Sequence, residues 1–235
     1  GITEIELLKD GELSINAKTE FGNEKTQKII ISGCSNSNKR NELSINSENS
    51  DWSSINLKND NAIFEIKNVV LKKAGYGATS GPWNNHDIYF DCNVNLTDVE
   101  SLSAIALTHN SNLENIKISD KSVNQDTYMI WICENGQTVN IDGCTIDANS
   151  GVGVKNRAIA LKGEYVTNPS KVTLNVKDTK ISSDKYAAVL VTTSLGGSIT
   201  FDNVDISKTQ DTTNAVWTDG NVSDLTLNGC TAIKR

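Results

Sequence analysis

The sequence predicts an all-β protein whose parallel strands wind into a solenoid, and three observations support this prediction. Along the 235 residues, no apolar pattern with the helical period persists for three turns. Asn, Asp, Ser and Thr are abundant, and the chain contains only two prolines and one methionine. The third observation, which decides the architecture, is an eight-residue pattern that returns along the chain.

The repeating pattern is an apolar residue, any residue, an apolar residue, a polar residue, then Gly, Asn or Asp, a Cys or β-branched residue, any residue and an apolar residue. Clear copies begin at Phe64, Val139, Leu174, Ile199 and Leu225, and weaker copies at Ile29, Ile88 and Ser111. The second apolar residue anchors each copy, and the anchors are Ile31, Ile66, Phe90, Leu113, Ile141, Val176, Phe201 and Leu227. Their spacing predicts roughly eight coils of about 28 residues each.

A second family of short apolar runs interleaves with this repeat and shares its period. The central residues of these runs are Ile105, Ile130, Ile159, Val189 and Val216, which follow one another at intervals of 25, 29, 30 and 27 residues. Because both families keep one period, each coil contains a strand of each family. Equivalent residues of successive coils should therefore stack in ladders, one from Ile105 to Val216 and another of Ile118, Ile146, Ile181 and Ile206.

Each copy of the pattern also contains a corner. Two apolar side chains point inward at period two, two polar or small residues follow, and the inward positions then resume with their phase shifted by one. Such a corner favours residues that tolerate left-handed backbone angles. The residues at this place are Gly33, Asn68, Asn115, Gly143, Asp178, Asn203 and Gly229.

With these repeats, ladders and corners, the chain resembles the right-handed parallel β-helix, the pectate-lyase-like superfold, over nearly its whole length. The resemblance implies a single domain over residues 1–235, and it favours a carbohydrate as the ligand. It does not extend to any one family. Cys34, Cys144 and Cys230 share one interior row, and because they are several coils apart we expect free thiols.

The N-terminal third of the chain is less regular. From Ile45 to Ile105 is about two periods, so one strand of the second family is predicted to be missing. In its place lies a stretch with three glycines, a proline and two large aromatic residues, at about 75–86, which we interpret as a loop that leaves the coil. No polar cap follows the last repeat, which favours a module of a longer surface protein.

The composition excludes several classes of partner. The formal net charge of −7 argues against binding to nucleic acid or to an anionic membrane surface. No apolar run approaches the roughly 20 residues needed for a membrane-spanning helix, so membrane insertion is not expected. The five cysteines have no spacing typical of a zinc site or a disulfide framework.

The first candidate site is a row of outward-facing carboxylates beside the anchors. The predicted register places Asp91, Glu114 and Asp142 on consecutive coils, where they would serve as paired acid and base groups or as calcium ligands. Arg157, which precedes a strand of the second family, is a basic residue that could in principle assist them. The alternative is an acidic face that only contacts water, because outward strand positions are normally polar.

The second candidate site is a row of apolar residues at outward positions of the second strand family. Its members are Ala106, Trp131, Ala160, Leu190 and Trp217. Tryptophan on a flat sheet is typical of a surface that stacks on sugars or contacts a partner. The alternative is that another segment of the chain covers both indoles.

The third candidate is the predicted loop, which contains Tyr76, Trp83 and His86. Long loops on rigid scaffolds often carry function. The alternative is a flap whose aromatic side chains pack on the coil beneath it.

The catalytic motifs of the polygalacturonases that share this superfold are absent from the sequence, and of the three arginines only Arg157 could serve as the base that the lyases use. We therefore expect a noncatalytic, adhesin-like module of the bacterial cell surface or the extracellular space, which presents its strand faces to a carbohydrate or protein partner. No cofactor is expected, although calcium is possible. The alternative is a divergent polysaccharide lyase or glycoside hydrolase that uses Asp91, Glu114 and Asp142 together with Arg157.

Overall fold

The computed structural model describes residues 1–17, 20–47, 54–75, 87–121, 128–150, 156–163, 168–183, 186–191, 197–208, 215–218, 222 and 224–234. Within these ranges the regular secondary structure is entirely β-strand. In chain order the strands are β1 (Ile2–Glu6), β2 (Glu12–Asn16), β3 (Glu20–Phe21), β4 (Lys28–Ser32), β5 (Asn41–Ser47), β6 (Ser54–Leu57), β7 (Ile63–Lys67), β8 (Val69–Gly75), β9 (Ile88–Asp91), β10 (Asn93–Thr97), β11 (Glu100–Ser101), β12 (Ile105–Leu107), β13 (Ser111–Glu114), β14 (Lys117–Ser119), β15 (Tyr128–Ile132), β16 (Thr138–Asp142), β17 (Thr145–Asp147), β18 (Arg157–Leu161), β19 (Val172–Lys177), β20 (Lys180–Ser182), β21 (Val189–Val191), β22 (Gly197–Asp202), β23 (Asp205–Lys208), β24 (Val216–Thr218), β25 (Asp224–Asn228) and β26 (Thr231–Lys234).

Every third strand belongs to the same sheet, which produces three parallel sheets around one axis. Sheet A has the order β1-β4-β7-β10-β13-β16-β19-β22-β25, and sheet B has the order β2-β5-β8-β11-β14-β17-β20-β23-β26. Sheet C runs β3-β6-β9-β12-β15-β18-β21-β24. Neighbouring strands pair in parallel, one coil above the other. The predicted all-β, right-handed parallel β-helix of roughly eight coils is confirmed.

The core lies inside the coils, where the inward apolar residues of all three sheets pack together. The predicted ladder from Ile105 to Val216 is present in sheet C, with each residue paired to its equivalent in the next coil. The predicted ladder from Ile118 to Ile206 is present in sheet B. Because each residue in such a ladder is covered by its equivalents above and below, the apolar repeat stabilises the stack along its axis.

One assignment in the N-terminal half is wrong. The copy that begins at Ile88 is β9, which pairs with β6 and β12 in sheet C, so Phe90 belongs to the second strand family. The true anchor of that coil is Leu96 of β10, which pairs with both Ile66 and Leu113. The prediction that the second family misses a strand here is therefore wrong, because β6 and β9 both precede β12 in sheet C. The error arose because a single residue, Cys92, separates β9 from β10, so two strands with the same alternation read as one unit.

The corners between sheets A and B take the predicted conformation at most positions. Positive φ angles occur at Asn68, Asn115, Gly143, Asp178, Asn203 and Gly229, and also at Asp98, the corner of the coil that the sequence misplaced. Gly33 is the exception, because it has no positive φ. A Cβ atom there would lie 2.0 Å from the carbonyl oxygen of Asn68, so this glycine is needed for space.

The cysteines are free thiols, as expected. Cys144 is buried in the predicted row, whereas Cys34 is half-buried and Cys230 is exposed on the last coil. Burial raises the pKa of the Cys144 thiol to about 11, so it remains neutral and packs as a small apolar group. In the described part of the chain, no helix is long and apolar enough to cross a membrane.

Candidate functional site

The predicted carboxylate row is present only in part. Glu114 and Asp142 are paired in register on the outer face of sheet A, and both are exposed. Asp91 does not join them, because it ends β9 in sheet C, and Thr97 occupies the equivalent place beside Glu114. Among the described residues, no group of three or more His, Cys, Asp or Glu side chains is placed to hold a metal ion. The three-carboxylate site is therefore a wrong prediction.

Asp91 instead lies at the corner between sheets C and A, next to one of the two histidines. The hydroxyl group of Thr108 donates a hydrogen bond to Asp91 Oδ1 at 2.8 Å and lies 2.7 Å from His109 Nδ1. His109 Nδ1 is 3.7 Å from the same carboxylate oxygen. The threonine is buried while the other two side chains are partly exposed, so an acid and an imidazole face the solvent on one small patch.

Trp131 is not an open platform. It has no exposed surface, and it lies in a second apolar cluster on the outer side of sheet C. Ala106 and Ala160 flank it in register, and these small side chains leave room for the indole. Tyr128 packs edge-on against it, with 6.2 Å between the ring centroids. The alternative interpretation, in which the chain covers this indole, is therefore confirmed for Trp131.

Arg157 lies at the margin of this cluster, in sheet C. Glu114 and Asp142 lie in a different sheet, sheet A. It begins β18 and is half-buried, with its guanidinium carbon 5.4 Å from the Tyr128 ring centroid and 4.3 Å from that of Tyr186. Such stacking between two aromatic faces is a stable arrangement for a cation. The structure therefore does not bring Arg157 to the carboxylates that it was predicted to assist.

The remaining aromatic candidates are largely outside the described residues. Tyr76, Trp83 and His86 all lie in the undescribed range 76–86. Trp217 belongs to β24 and pairs with Leu190 of β21 through the backbone, but its side chain is outside the described part of the structure.

A regular feature that the sequence reading missed lies on the outer face of sheet A. Four asparagines follow one another in register on consecutive coils: Asn95, Asn112, Asn140 and Asn175. Each amide nitrogen donates to the amide oxygen of the preceding asparagine, at 2.9, 2.8 and 2.9 Å. We call this the asparagine ladder. The signal was visible, because each asparagine occupies the free position between the two apolar residues of its strand.

The asparagine ladder leaves hydrogen-bonding capacity directed at the solvent. A carboxamide has two N–H donors and two acceptor lone pairs. Within the ladder, Asn112 and Asn140 each use one donor and one acceptor, Asn95 only accepts, and Asn175 only donates. Asn112 is exposed and its neighbours are half-buried, so the remaining donors and acceptors form a regular outward array. The mutual hydrogen bonds also fix the side-chain rotamers, so a ligand would not have to order them.

Next to the last ladder residue, the corner between sheets A and B borders a polar cleft of about 390 Å³. The cleft is lined by Asp178, Thr179, Lys180, Asn203, Asp205 and Thr231. Asn203 donates to Asp178 Oδ1 at 2.5 Å, while the buried Oδ1 of Asp205 receives no hydrogen bond from the described residues. The cleft places carboxylate, amide and hydroxyl groups at this corner, and no residue of the asparagine ladder lines it.

The second missed feature is a group of ionisable side chains inside the solenoid, between sheets B and C. Lys73 is half-buried and occupies a position of β8 that is paired in register with the buried Ile45 of the preceding coil. Asp87 is 4% exposed and precedes β9, and Asp120 is fully buried after β14. We call these three residues the buried triad. The sequence signal was their phase, since Lys73 follows Val69 and Leu71 at period two.

One hydrogen bond of the buried triad lies within a single coil, and another joins the two coils that follow it. Lys73 Nζ donates to the backbone carbonyl oxygen of Asp87 at 3.2 Å, and the Ala104 amide donates to Asp120 Oδ2 at 3.1 Å. Burial lowers the pKa of Lys73 to about 8, against the opposing effect of the two aspartates. Burial also raises the pKa of Asp87 to about 8, and the nearby Asp120 acts in the same direction, against Lys73. The charged forms of both groups are thus disfavoured.

The fold and these sites define the class of the protein as a parallel β-helix with a polar sheet face and a buried group of ionisable residues. In comparisons with known proteins, no family model, curated protein or solved structure gives a significant match to this chain.

Proposed function

We propose that this chain is a noncatalytic binding module, adhesin-like, of the bacterial cell surface or the extracellular space, and that it binds carbohydrate through the outer face of sheet A. The observation that carries the proposal is the asparagine ladder, with its three hydrogen bonds of 2.8 to 2.9 Å on four consecutive coils. Amide groups that both donate and accept are suited to sugar hydroxyls, which also do both.

The charges around the asparagine ladder favour a neutral glycan over an anionic one. Glu114 and Asp142 stand beside the ladder on the same face, with Lys177 next in the same row, and the chain carries a formal net charge of −7. An anionic polysaccharide would be repelled by these groups unless a cation intervened. The adjoining cleft offers the carboxylate oxygens of Asp178 and Asp205 as further acceptors for hydroxyl groups.

The experiment that tests the proposal is binding of the purified chain to a broad glycan array, in calcium and in a chelator. We expect hits among neutral glycans in both conditions. The double variant Asn112→Ala/Asn140→Ala should lose at least tenfold in affinity for these hits. The matched control is Lys117→Ala/Thr145→Ala, which changes two exposed neighbours on the same two coils of sheet B and should bind normally.

Two outcomes would count against the proposal. Equal binding by the ladder variant and its control would mean that the binding site lies elsewhere on the molecule. An array without hits in either condition would instead favour a protein partner for this face. Melting curves of both variants must match the wild type within a few degrees, so that a loss of binding is not a loss of folding.

A divergent polysaccharide lyase or glycoside hydrolase is the second candidate, and one observation favours it. Asp91 and His109 meet at a solvent-facing corner, where an acid and an imidazole could exchange protons with a substrate. This candidate predicts turnover of the glycan that the array identifies, with loss of turnover in His109→Gln. Binding without any release of sugar fragments would rule it out.

A further inference from the structure

The asparagine ladder belongs to a wider polar surface on the outer face of sheet A. Thr200 continues the row of the ladder on the coil that follows Asn175. A second row, of hydroxyl-bearing residues, runs beside it in register on β16, β19 and β22. None of these side chains is ionisable. We call this surface the neutral strip, and its residues are Asn95, Asn112, Asn140, Asn175 and Thr200 in the first row and Thr138, Thr173 and Ser198 in the second.

A charged row borders the ladder on the side away from the hydroxyl-bearing row. Its residues, in register on consecutive coils, are Glu114, Asp142, Lys177 and Asp202. An anionic chain on the neutral strip would lie beside more carboxylates than ammonium groups, so the net charge of this row disfavours it. A neutral chain is not repelled. The neutral strip therefore favours a ligand that has many hydroxyl groups and no charge.

The geometry of the sheet gives this ligand a direction. Ladder residues repeat at the rise of one coil, which is about 4.8 Å because neighbouring parallel strands are that far apart. Along a single strand the outward residues are about 6.6 Å apart, and each strand carries only one residue of the ladder. A ligand parallel to the strands would therefore contact one ladder asparagine. A ligand parallel to the solenoid axis contacts all four.

The repeat also selects the linkage of a glycan. In a β-1,4-linked glycan each ring is turned over relative to the one before it, which keeps the chain straight, and successive rings advance by nearly the rise of one coil. The α-1,4 linkage between the same sugars makes the chain curve away from a flat surface. A straight chain therefore places one ring over each ladder residue, whereas a curved chain leaves the register of the ladder.

We propose that the ligand is a neutral β-1,4-linked glycan that lies along the solenoid axis on the neutral strip, with one ring on each coil. This inference rests on the proposed function, because it assigns the linkage and the direction of the glycan bound there. Asn112 and Asn140 each keep one N–H donor and one acceptor for the hydroxyl groups of a ring. The hydrogen bonds of the ladder fix these groups before binding, so the contacts add up from ring to ring.

The test is calorimetric titration of the full chain with oligosaccharides of two to six rings. Cello-, manno- and N-acetylchito-oligosaccharides supply the β-1,4 linkage, and malto-oligosaccharides join the same glucose units as the cello series by the α-1,4 linkage. For at least one β-1,4 series, we expect the affinity to rise roughly two- to tenfold with each ring up to four rings, since four coils carry a ladder asparagine. Maltotetraose should bind roughly tenfold more weakly than the tetrasaccharide of that series.

One variant removes a single contact and leaves the asparagine ladder intact. Asn95 only accepts within the ladder, from Asn112 at 2.9 Å, so the carboxylate in Asn95→Asp keeps that bond and lacks only the two N–H donors. This variant should bind the tetrasaccharide no better than the wild type binds the trisaccharide. The matched control is Asn16→Asp. Asn16 also accepts from an asparagine of the next coil, Asn46 at 3.1 Å, but it lies on sheet B, so every affinity should stay unchanged.

Several outcomes would overturn the assignment. Affinity that does not depend on chain length, equal binding of the cello and malto series, or equal effects of Asn95→Asp and Asn16→Asp would each do so. Hits on the glycan array that are confined to branched or terminal sugars would overturn it as well, while the proposed carbohydrate-binding function would stand. An array without any hit would instead refute that function, and the assignment with it.

Discussion

The indole nitrogen of Trp131 donates a hydrogen bond to the carbonyl oxygen of Lys162 at 2.9 Å, and this bond joins two consecutive coils on the outer side of sheet C. The tryptophan therefore contributes to stability in two ways. Its ring fills the space above Ala106 and Ala160, and its N–H group satisfies a backbone acceptor that follows β18. An exposed tryptophan that stacks on sugars would do neither.

The first prediction follows from this burial. Trp131→Ala should lower the free energy of unfolding by about 3–5 kcal/mol, because it removes a fully buried indole and leaves a cavity. Chemical denaturation monitored by circular dichroism measures the change. Leu102→Ala is the control, since Leu102 is 40% exposed and its truncation should cost well under about 1 kcal/mol. If the Trp131→Ala variant were as stable as the wild type, the indole would not be part of the packed structure, and Trp131 would have to be an exposed residue.

The second prediction separates the two reasons for a glycine at a corner. Gly143 has a φ of 64°, and the nearest atom to an added Cβ would be 3.9 Å away, so Gly143→Ala should cost only the left-handed strain of about 1–2 kcal/mol. At Gly33 the added Cβ would lie 2.0 Å from a carbonyl oxygen, and the backbone itself must move. Gly33→Ala should therefore destabilise the protein more than Gly143→Ala in the same denaturation experiment. The reverse order would contradict this geometry.

The repeat was readable from the sequence because a solenoid stacks equivalent residues directly above one another. Ile130 pairs with Ile105 and Ile159 on the neighbouring coils, so apolar residues recur in the sequence at the period of one coil. The misplacement of Phe90 shows the limit of this reading, since the alternation in β9 and β10 is the same and only the spatial pairing separates the two sheets.

The candidate sites were less predictable, because exposure depends on what covers an outward position. Alternation correctly placed Trp131 on the outer side of sheet C, but it contains no information on the packing that buries the indole there. The buried triad was missed for a related reason. Lys73 and Asp87 are distant in sequence, and their opposite pKa shifts arise only when the fold removes water from both.

The third prediction concerns calcium. Adding calcium should leave the melting temperature unchanged, because Glu114 and Asp142 are two exposed carboxylates and the third proposed ligand, Asp91, lies in another sheet. Calcium normally takes six to eight oxygen ligands, which two surface carboxylates do not provide. Thermal melts in calcium and in a chelator make the comparison. If calcium raised the melting temperature by several degrees and Asp142→Asn abolished that rise, Asp142 would be a calcium ligand and this prediction would be wrong.

The fourth prediction concerns acid stability and Glu65, a buried carboxylate on the outer side of β7. Lys28 Nζ lies 2.7 Å from its Oε2, and Lys67 contacts its other oxygen. Burial alone would raise the pKa of Glu65, but the two lysines together outweigh burial, and the pKa is lower than its usual 4.5. Its ionised form therefore stabilises the fold. That contribution is complete above about pH 4.5 and is lost as the pH falls through the lowered pKa.

Glu65→Gln should accordingly cost about 1–3 kcal/mol at pH 7, because both lysines lose a charged hydrogen-bond partner. Below pH 4.5 the difference between the variant and the wild type should shrink progressively, because the wild-type carboxylate becomes protonated as the pH falls through its lowered pKa. Urea denaturation between pH 3 and pH 7 measures both effects. Glu12→Gln is the control, because Glu12 is 63% exposed and its nitrogen partner on Lys39 is 3.7 Å away, so its loss should change little at any pH. A constant difference across this pH range would mean that Glu65 acts through packing, and that its charge contributes nothing to stability.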